Sequence, residues 1–389
     1  MPFTLADIDF LASDVGRQLL NRLADEDLSD AYTLSLLTRL RKSVSPQQAG
    51  VLLETARLRQ KAVDKFGDDA AQMLFTRDGL EQASDPLVRH YRSQAMRGLQ
   101  VVDACCGIGA DSLAMARAGA AVTGLDIDPV RIAIAQYNAT ALNTNVSFAV
   151  ADVRETMPAA DRIFFDPARR TTDGRRIHDI ERYQPPLSLL REWHVPVIAK
   201  LSPGINLEHL ANYHAGLEFI SVHGALKEAV LWRGTDFTGT KATLLTGDGV
   251  HHWQADRPTY VETTAPRAWL VEPDPAILRA GLVQDVAAVH HGTLLDETIA
   301  YFTTDTQPDS VWLRTWQILD WMPFNLKKLR AYLRHHNIGH VTIKKRGFAM
   351  MPDELIPKLK LKGSESRTLV TTRHHGQPIV IVCCDATIS

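Results

Sequence analysis

Four short apolar runs in the middle of the chain each end on an acid: residues 101–102 run into Asp103, 120–125 into Asp126, 146–151 into Asp152 and 162–165 into Asp166. Runs this short, separated by stretches with helical spacing, read as strands of a mostly parallel sheet with helices on both faces. Two more runs, 195–199 and 219–222, precede the segment 229–232, which is expected to pair as an antiparallel edge. The first run leads into Cys105-Cys106-Gly107-Ile108-Gly109, a glycine turn that lets the backbone approach a ligand beside the free N–H groups of a helix start. Ahead of it, residues 1–95 read as helices, with apolar residues at 36, 37, 40 and at 51, 52, 53, 56, 58. Ser45-Pro46 marks one helix start, since Ser caps and Pro suits the first turn. Residues 246–260 read as a junction, followed by two small mixed units, 269–303 and 312–384, whose alternation suggests ferredoxin-like packing. The expected class is α/β, a doubly wound sheet with an N-terminal helical region and a small C-terminal α+β region. Its expected segments are 1–95, 96–245, 246–310 and 311–389.

Length and composition narrow the setting. With 389 residues and 45% hydrophobic content, the chain has enough apolar material for two or three globular cores. It has no apolar run of about 18 residues, and the acids at 7, 9 and 14 do not fit a signal peptide, so a cytoplasmic location without membrane contact is expected. Cys105-Cys106 and Cys383-Cys384 lack zinc-site spacing and are too few for a disulfide framework. The adjacent pairs His290-His291, His335-His336 and His374-His375 point their rings apart, and no metal is expected. Charge is the more telling property. Residues 311–376 hold 13 Lys or Arg against 4 acids, whereas residues 1–310 hold 30 against 40. A basic module on an acidic chain suits a phosphate backbone, because Lys and Arg release its counterions. The clusters are Lys327-Lys328-Arg330-Arg334, Lys344-Lys345-Arg346 and Lys358-Lys360-Lys362. Trp312, Trp316 and Trp321 are candidates for base stacking, although core packing is the better expectation for at least two of them.

The motif pattern resembles class I S-adenosylmethionine-dependent methyltransferases. A dehydrogenase is disfavoured, because its fingerprint asks for a third glycine where Ser112 stands. The stretch 103–109 resembles the first motif of the methyltransferases, Asp126 their ribose-binding acid, Asp152 their adenine-contacting acid and Asp166-Pro167 their fourth, catalytic motif. The stretch 125–133 is similar to the trimethylguanosine synthase branch, and the whole chain looks most like bacterial methyltransferases with a THUMP-like C-terminal domain. The resemblance implies a Rossmann-like sheet and S-adenosylmethionine as cofactor. It would be held by Asp103, Cys105, Gly107, Gly109, Asp126, Ile127, Asp152 and Val153. THUMP domains are associated with tRNA, so the implied partner is RNA, with tRNA the default.

Chemistry is expected at the carboxyl end of the fourth strand. Enzymes that methylate base amines commonly follow the Asp or Asn with two prolines and an aromatic; here Ala168 and Arg169 stand in those places. Arg169 and Arg170 could instead grip a phosphate or stack on a base, and with Lys344, Lys345 and Arg346 they are the candidate substrate-binding residues. Asp166, Lys200 and Glu228 resemble three members of the Lys-Asp-Lys-Glu set of RNA ribose 2′-O-methyltransferases, in which a Lys assists deprotonation of the hydroxyl. The fourth member has Arg89, Arg92 and Arg97 in its neighbourhood, and Arg cannot serve as a base at neutral pH. The leading expectation is therefore a base-directed RNA methyltransferase, with ribose methylation as alternative. A small-molecule methyltransferase and a non-catalytic cofactor- or RNA-binding protein are also in view.

Overall fold

The computed structural model describes residues 3–169, 175, 177, 179–255 and 257–384. Its contacts group the chain into two compact units, residues 1–217 with 227–239, and residues 218–226 with 240–389, rather than into the four expected segments.

The first unit opens with six helices between Leu5 and Gln94, the longest being Pro46–Phe66. Local chemistry sets their starts: Thr4 and Ser45 each form a capping box, with Asp7 and Gln48 returning the bond, and Pro46 occupies the first turn. The sheet that follows contains β1 (Gln100–Ala104), β2 (Ala121–Asp126), β3 (Ser147–Val150), β4 (Arg162–Phe165) and β5 (Val197–Leu201). These five pair in parallel in the order β3-β2-β1-β4-β5. Chain direction across the sheet reverses between β1 and β4, which opens a crevice beyond their carboxyl ends. After β6 (Ala215–Val222), β7 (Ala225–Arg233) pairs antiparallel with β5, setting Lys200 opposite Val230 and Leu201 opposite Ala229.

One apolar core ties the helices to the sheet's ligand turn: Leu52, Leu74 and Phe75 cluster with Ile108, Leu113 and Ile134. Phe75 is fully buried there, and Thr76 caps the helix Arg77–Gln82. Asn138 adds a polar stitch. Its Oδ1 accepts from Leu74 N at 2.7 Å, and its Nδ2 donates to the carbonyls of Leu74 and Ile108, each at 3.1 Å. Asn138→Ala is expected to cost about 1–3 kcal/mol, because buried main-chain groups lose their partner; urea unfolding checks this, and a change below about 0.5 kcal/mol would contradict it.

The second unit holds the hairpin β8 (Thr240–Thr246) and β9 (Gly249–Trp253), then β10 (Trp269–Pro273), β11 (Thr293–Leu294), β12 (Phe302–Thr304), β13 (Leu313–Pro323), β14 (Ile338–Lys345), β15 (Glu365–His374) and β16 (Gln377–Cys383). The last seven form one sheet, ordered β11-β12-β10-β13-β16-β15-β14. The two small units expected at 246–310 and 311–389 thus share a sheet. Strand β13 joins them: residues 313–317 pair with β10 and 318–323 with β16, with a bulge between Ile318 and Asp320. Trp312 and Trp316 are buried, which removes both as exposed stacking platforms.

Candidate active site

The turn after β1 carries three residues in the left-handed region, Cys105 (φ 70°), Gly107 (φ 56°) and Gly109 (φ 83°). A Cβ on Gly109 would lie 3.1 Å from both the Ala135 Cβ and the Phe148 ring, whereas one on Gly107 would meet open space. The first glycine therefore faces the crevice, and the second permits close helix packing. Asp126, closing β2, accepts the Gly107 N–H at 2.9 Å and the Asp128 N–H at 3.0 Å. Each of its oxygens retains a lone pair for a ligand hydroxyl. Ile127 beside it is 64% exposed, an apolar surface at the rim. Val153 is buried, and Asp152 is gripped by the Arg154 guanidinium, whose hydrogen bonds hold its carboxyl below the usual range.

Asp103 is buried at the end of β1, where it accepts a hydrogen bond from the Ser112 hydroxyl. The residue that breaks the dehydrogenase fingerprint thus holds the first acid. Burial, reinforced by the Asp111 and Asp166 charges, pushes the Asp103 carboxyl up to about 8. An unfolded Asp releases its proton near pH 4, so raising pH through the window up to about 8 favours the unfolded chain. Stability relative to Asp103→Asn is expected to fall as pH rises across that window and to level off above it. Parallel urea titrations at several pH values check this, and a flat difference would refute it.

Beyond β4 and β5, Lys200 Nζ donates to Asp166 Oδ2 at 2.7 Å and to the Gln82 carbonyl at 3.3 Å. The Lys200 side chain is buried, and Asp166 keeps 23% of its side chain exposed. Arg169 approaches the other Asp166 oxygen at 3.9 Å; Arg170 lies outside the described residues. Pro167 leads to Ala168, whose main chain exchanges two hydrogen bonds with Gln184, so the loop 183–186 closes against the fourth strand's end. Glu228 does not meet Lys200. Its carboxylate pairs with the buried Arg92 guanidinium, which also holds Asp111 and donates to Ser84 Oγ at 3.1 Å. Although burial opposes the charge, Glu228 and Asp111 hold Arg92 more firmly protonated than usual. Asp166 and Lys200 are brought together, while Glu228 belongs to a second pair.

Sequence reasoning missed Arg92 as the partner of Glu228, and also Asp111, Ser84 and Asn138. Asn138 alone carried a signal, a polar side chain on the apolar stripe of the helix Pro129–Ala141. In the other unit two of the candidate substrate-binding residues are paired within the protein. Lys344 and Arg346 pair with Glu272 at 3.3 and 3.1 Å, and the Lys344 ammonium sits 4.2 Å from the Trp316 ring centre. Lys345 Nζ contacts Met351 Sδ at 3.0 Å. Lys327, Lys328, Arg334, Lys358, Lys360 and Lys362 are exposed, and among the described residues none of them has a carboxylate partner.

The buried Asp103 Oδ1 has no hydrogen-bond partner among the described residues. With the left-handed turn and the Asp126 carboxylate, it fits a ligand that carries an amino donor and a ribose. Fold and site define a class I S-adenosylmethionine-dependent methyltransferase. Family profiles match a methyltransferase domain over residues 101–166, a THUMP domain-like family over 313–384 and a domain of unknown function over 4–62. The chain is 34% identical over 332 residues, 83% of its length and 92% of the relative's, to an uncharacterized S-adenosylmethionine-dependent methyltransferase of Mycobacterium tuberculosis. It belongs to the family of S-adenosylmethionine-dependent methyltransferases with a THUMP-like C-terminal domain. A 23S rRNA uracil C5-methyltransferase of Shewanella amazonensis is 33% identical over 115 residues, 26% of each chain. The crystal structure of a putative methyltransferase from Porphyromonas gingivalis shares the fold over 100% of both chains, with a TM-score of 0.80 at 21% identity. No helix among the described residues is long and apolar enough to cross a membrane.

Proposed function

We propose that the protein transfers methyl groups to a base of a structured RNA such as tRNA. The observation that carries the RNA assignment is the lysine- and arginine-rich THUMP-like region, with its six exposed, carboxylate-free basic side chains from 327 to 362. The RNA methyltransferase to which part of the chain is similar supports it. These six side chains take the RNA-binding role ahead of Lys344 and Arg346, which Glu272 holds.

Bound S-adenosylmethionine supplies an electrophilic methyl on its sulfonium. In this reading Asp126 accepts the ribose hydroxyls, Ile127 and Val153 flank the adenine beside Asp152, and Cys105, Gly107 and Gly109 shape the turn. Asp103 accepts the amino group through its free oxygen. Asp166 and the main-chain carbonyl at Pro167 accept hydrogen bonds from the acceptor group, with Lys200 fixing the carboxylate and Arg169 steering a phosphate or base. Base methylation is preferred over ribose methylation because, among the described residues, Arg92 and no Lys pairs with Glu228, and an arginine does not act as the base. The ribose reading keeps one support, the 2.7 Å contact of Lys200 with Asp166.

Incubating the protein with methyl-labelled S-adenosylmethionine and total RNA from a strain lacking its gene, followed by digestion to nucleosides, decides between them. Label on a base is expected. Label on ribose would give Lys200 the central role, and no transfer to RNA despite cofactor binding would reject both readings.

A further inference from the structure

A cavity of about 380 Å³ opens at the end of β5 where the chain enters the sheet. Its walls include Arg191, His194, Asn212, Tyr213, His214 and Arg233. Val197, the first residue of β5, is paired with Arg233, so the cavity adjoins the edge opposite to Lys200. Three residues of extended chain separate Val197 from Lys200, about 10 Å. The methyl-transfer crevice and this cavity are therefore distinct.

Its electrostatics are one-sided. Two guanidiniums and two imidazoles line it, with no acid among the lining residues. Neither Arg191 nor Arg233 has a carboxylate partner among the described residues. Both guanidiniums are nonetheless held in place: Arg191 stacks 4.7 Å from the Tyr213 ring centre, and Arg233 donates to the Trp193 carbonyl at 2.9 Å. That bond uses one of five N–H donors on Arg233, leaving the rest for a ligand. The nearby Glu181 accepts the Tyr213 hydroxyl at 3.2 Å and so fixes the ring on which Arg191 rests.

Planar, always-charged forks match the paired oxygens of a phosphate, as they do those of a carboxylate, and two of them together suit the higher charge of a phosphate. The volume exceeds what a bare phosphate needs and falls in the range of small-ligand sites. We propose that Arg191 and Arg233 form a second binding site, separate from the cofactor crevice, for the phosphate group of a nucleotide unit. The imidazoles of His194 and His214 and the Asn212 amide add donors around it. The proposal does not depend on which atom accepts the methyl group, nor on whether that acceptor is RNA.

The test titrates the full-length protein at low ionic strength with inorganic phosphate, with adenosine 5′-monophosphate and with a labelled single-stranded oligoribonucleotide. Calorimetry follows the first two and anisotropy the third. Saturable binding of phosphate or the mononucleotide is expected, weakened at least about tenfold in the double variant Arg191→Ala, Arg233→Ala, as loss of charge-assisted bonds dictates. S-adenosylmethionine affinity, unchanged in that variant, shows that the fold is intact. If oligonucleotide binding weakens as well and its logarithmic salt slope drops by about 0.7, a backbone phosphate occupies the site; if it is unaltered, the phosphate of a free nucleotide does. No saturable binding to the native protein, or equal binding to the double variant, overturns the proposal.

Discussion

Asp166→Asn is expected to lower turnover by about 10²–10⁴-fold, the range for removing a positioned proton acceptor, while S-adenosylmethionine affinity changes by less than about threefold. The asymmetry follows from where the carboxylate sits. It closes the fourth strand, receives Lys200 on one oxygen and keeps part of its surface open to the crevice, whereas the acids suited to the cofactor's amino and ribose groups close the first and second strands. Asparagine preserves volume and still accepts from Lys200, but it carries no charge to receive developing positive charge on the acceptor. The variant also leaves the buried Lys200 ammonium without its counter-charge, so its thermal midpoint is expected to drop. Asp166→Asn with Lys200→Met separates the two effects: the midpoint recovers and turnover does not. Full turnover in the single variant would remove Asp166 from the chemistry.

The second large effect concerns Arg92. Its side chain is 3% exposed, pairs with Glu228 and Asp111, and lies 4.6 Å from the Phe164 ring centre. Arg92→Met leaves two buried carboxylates without the guanidinium they share, and a loss of about 3–5 kcal/mol is expected. Arg92→Met with Glu228→Gln and Asp111→Asn is expected to regain most of that loss, because the buried charges disappear together. Urea unfolding of the native, single and triple forms measures it. A single-variant loss below about 1 kcal/mol would show that the network contributes little beyond packing.

The parallel sheet was legible because burial on both faces leaves near-continuous apolar runs, and the first, second and fourth each lead to an acid at or near the strand's carboxyl end. The glycine turn was legible because left-handed backbone restricts residue choice. What escaped were contacts that periodicity does not encode. Arg92 and Glu228 are 136 positions apart, and nothing local to either tells which basic residue of 89, 92 and 97 reaches Glu228. The pairing of Lys344 and Arg346 with Glu272 escaped for the same reason: a basic cluster looks alike in sequence whether it faces solvent or crosses to a distant acid. The shared seven-stranded sheet was hidden by one long strand whose bulge divides it between two partners.

Asn138 and the core around it make the amino-terminal helices part of the machinery that shapes the ligand turn. Leu74 contributes main-chain groups to the same amide that holds the Ile108 carbonyl, one residue from Gly109. A chain shortened to begin at residue 96 would uncover the apolar faces of Ile108, Leu113 and Ile134 and free the turn from its anchor. Inheritance of this catalytic sheet therefore comes bundled with the amino-terminal helices: the fold cannot keep its ligand turn and lose them.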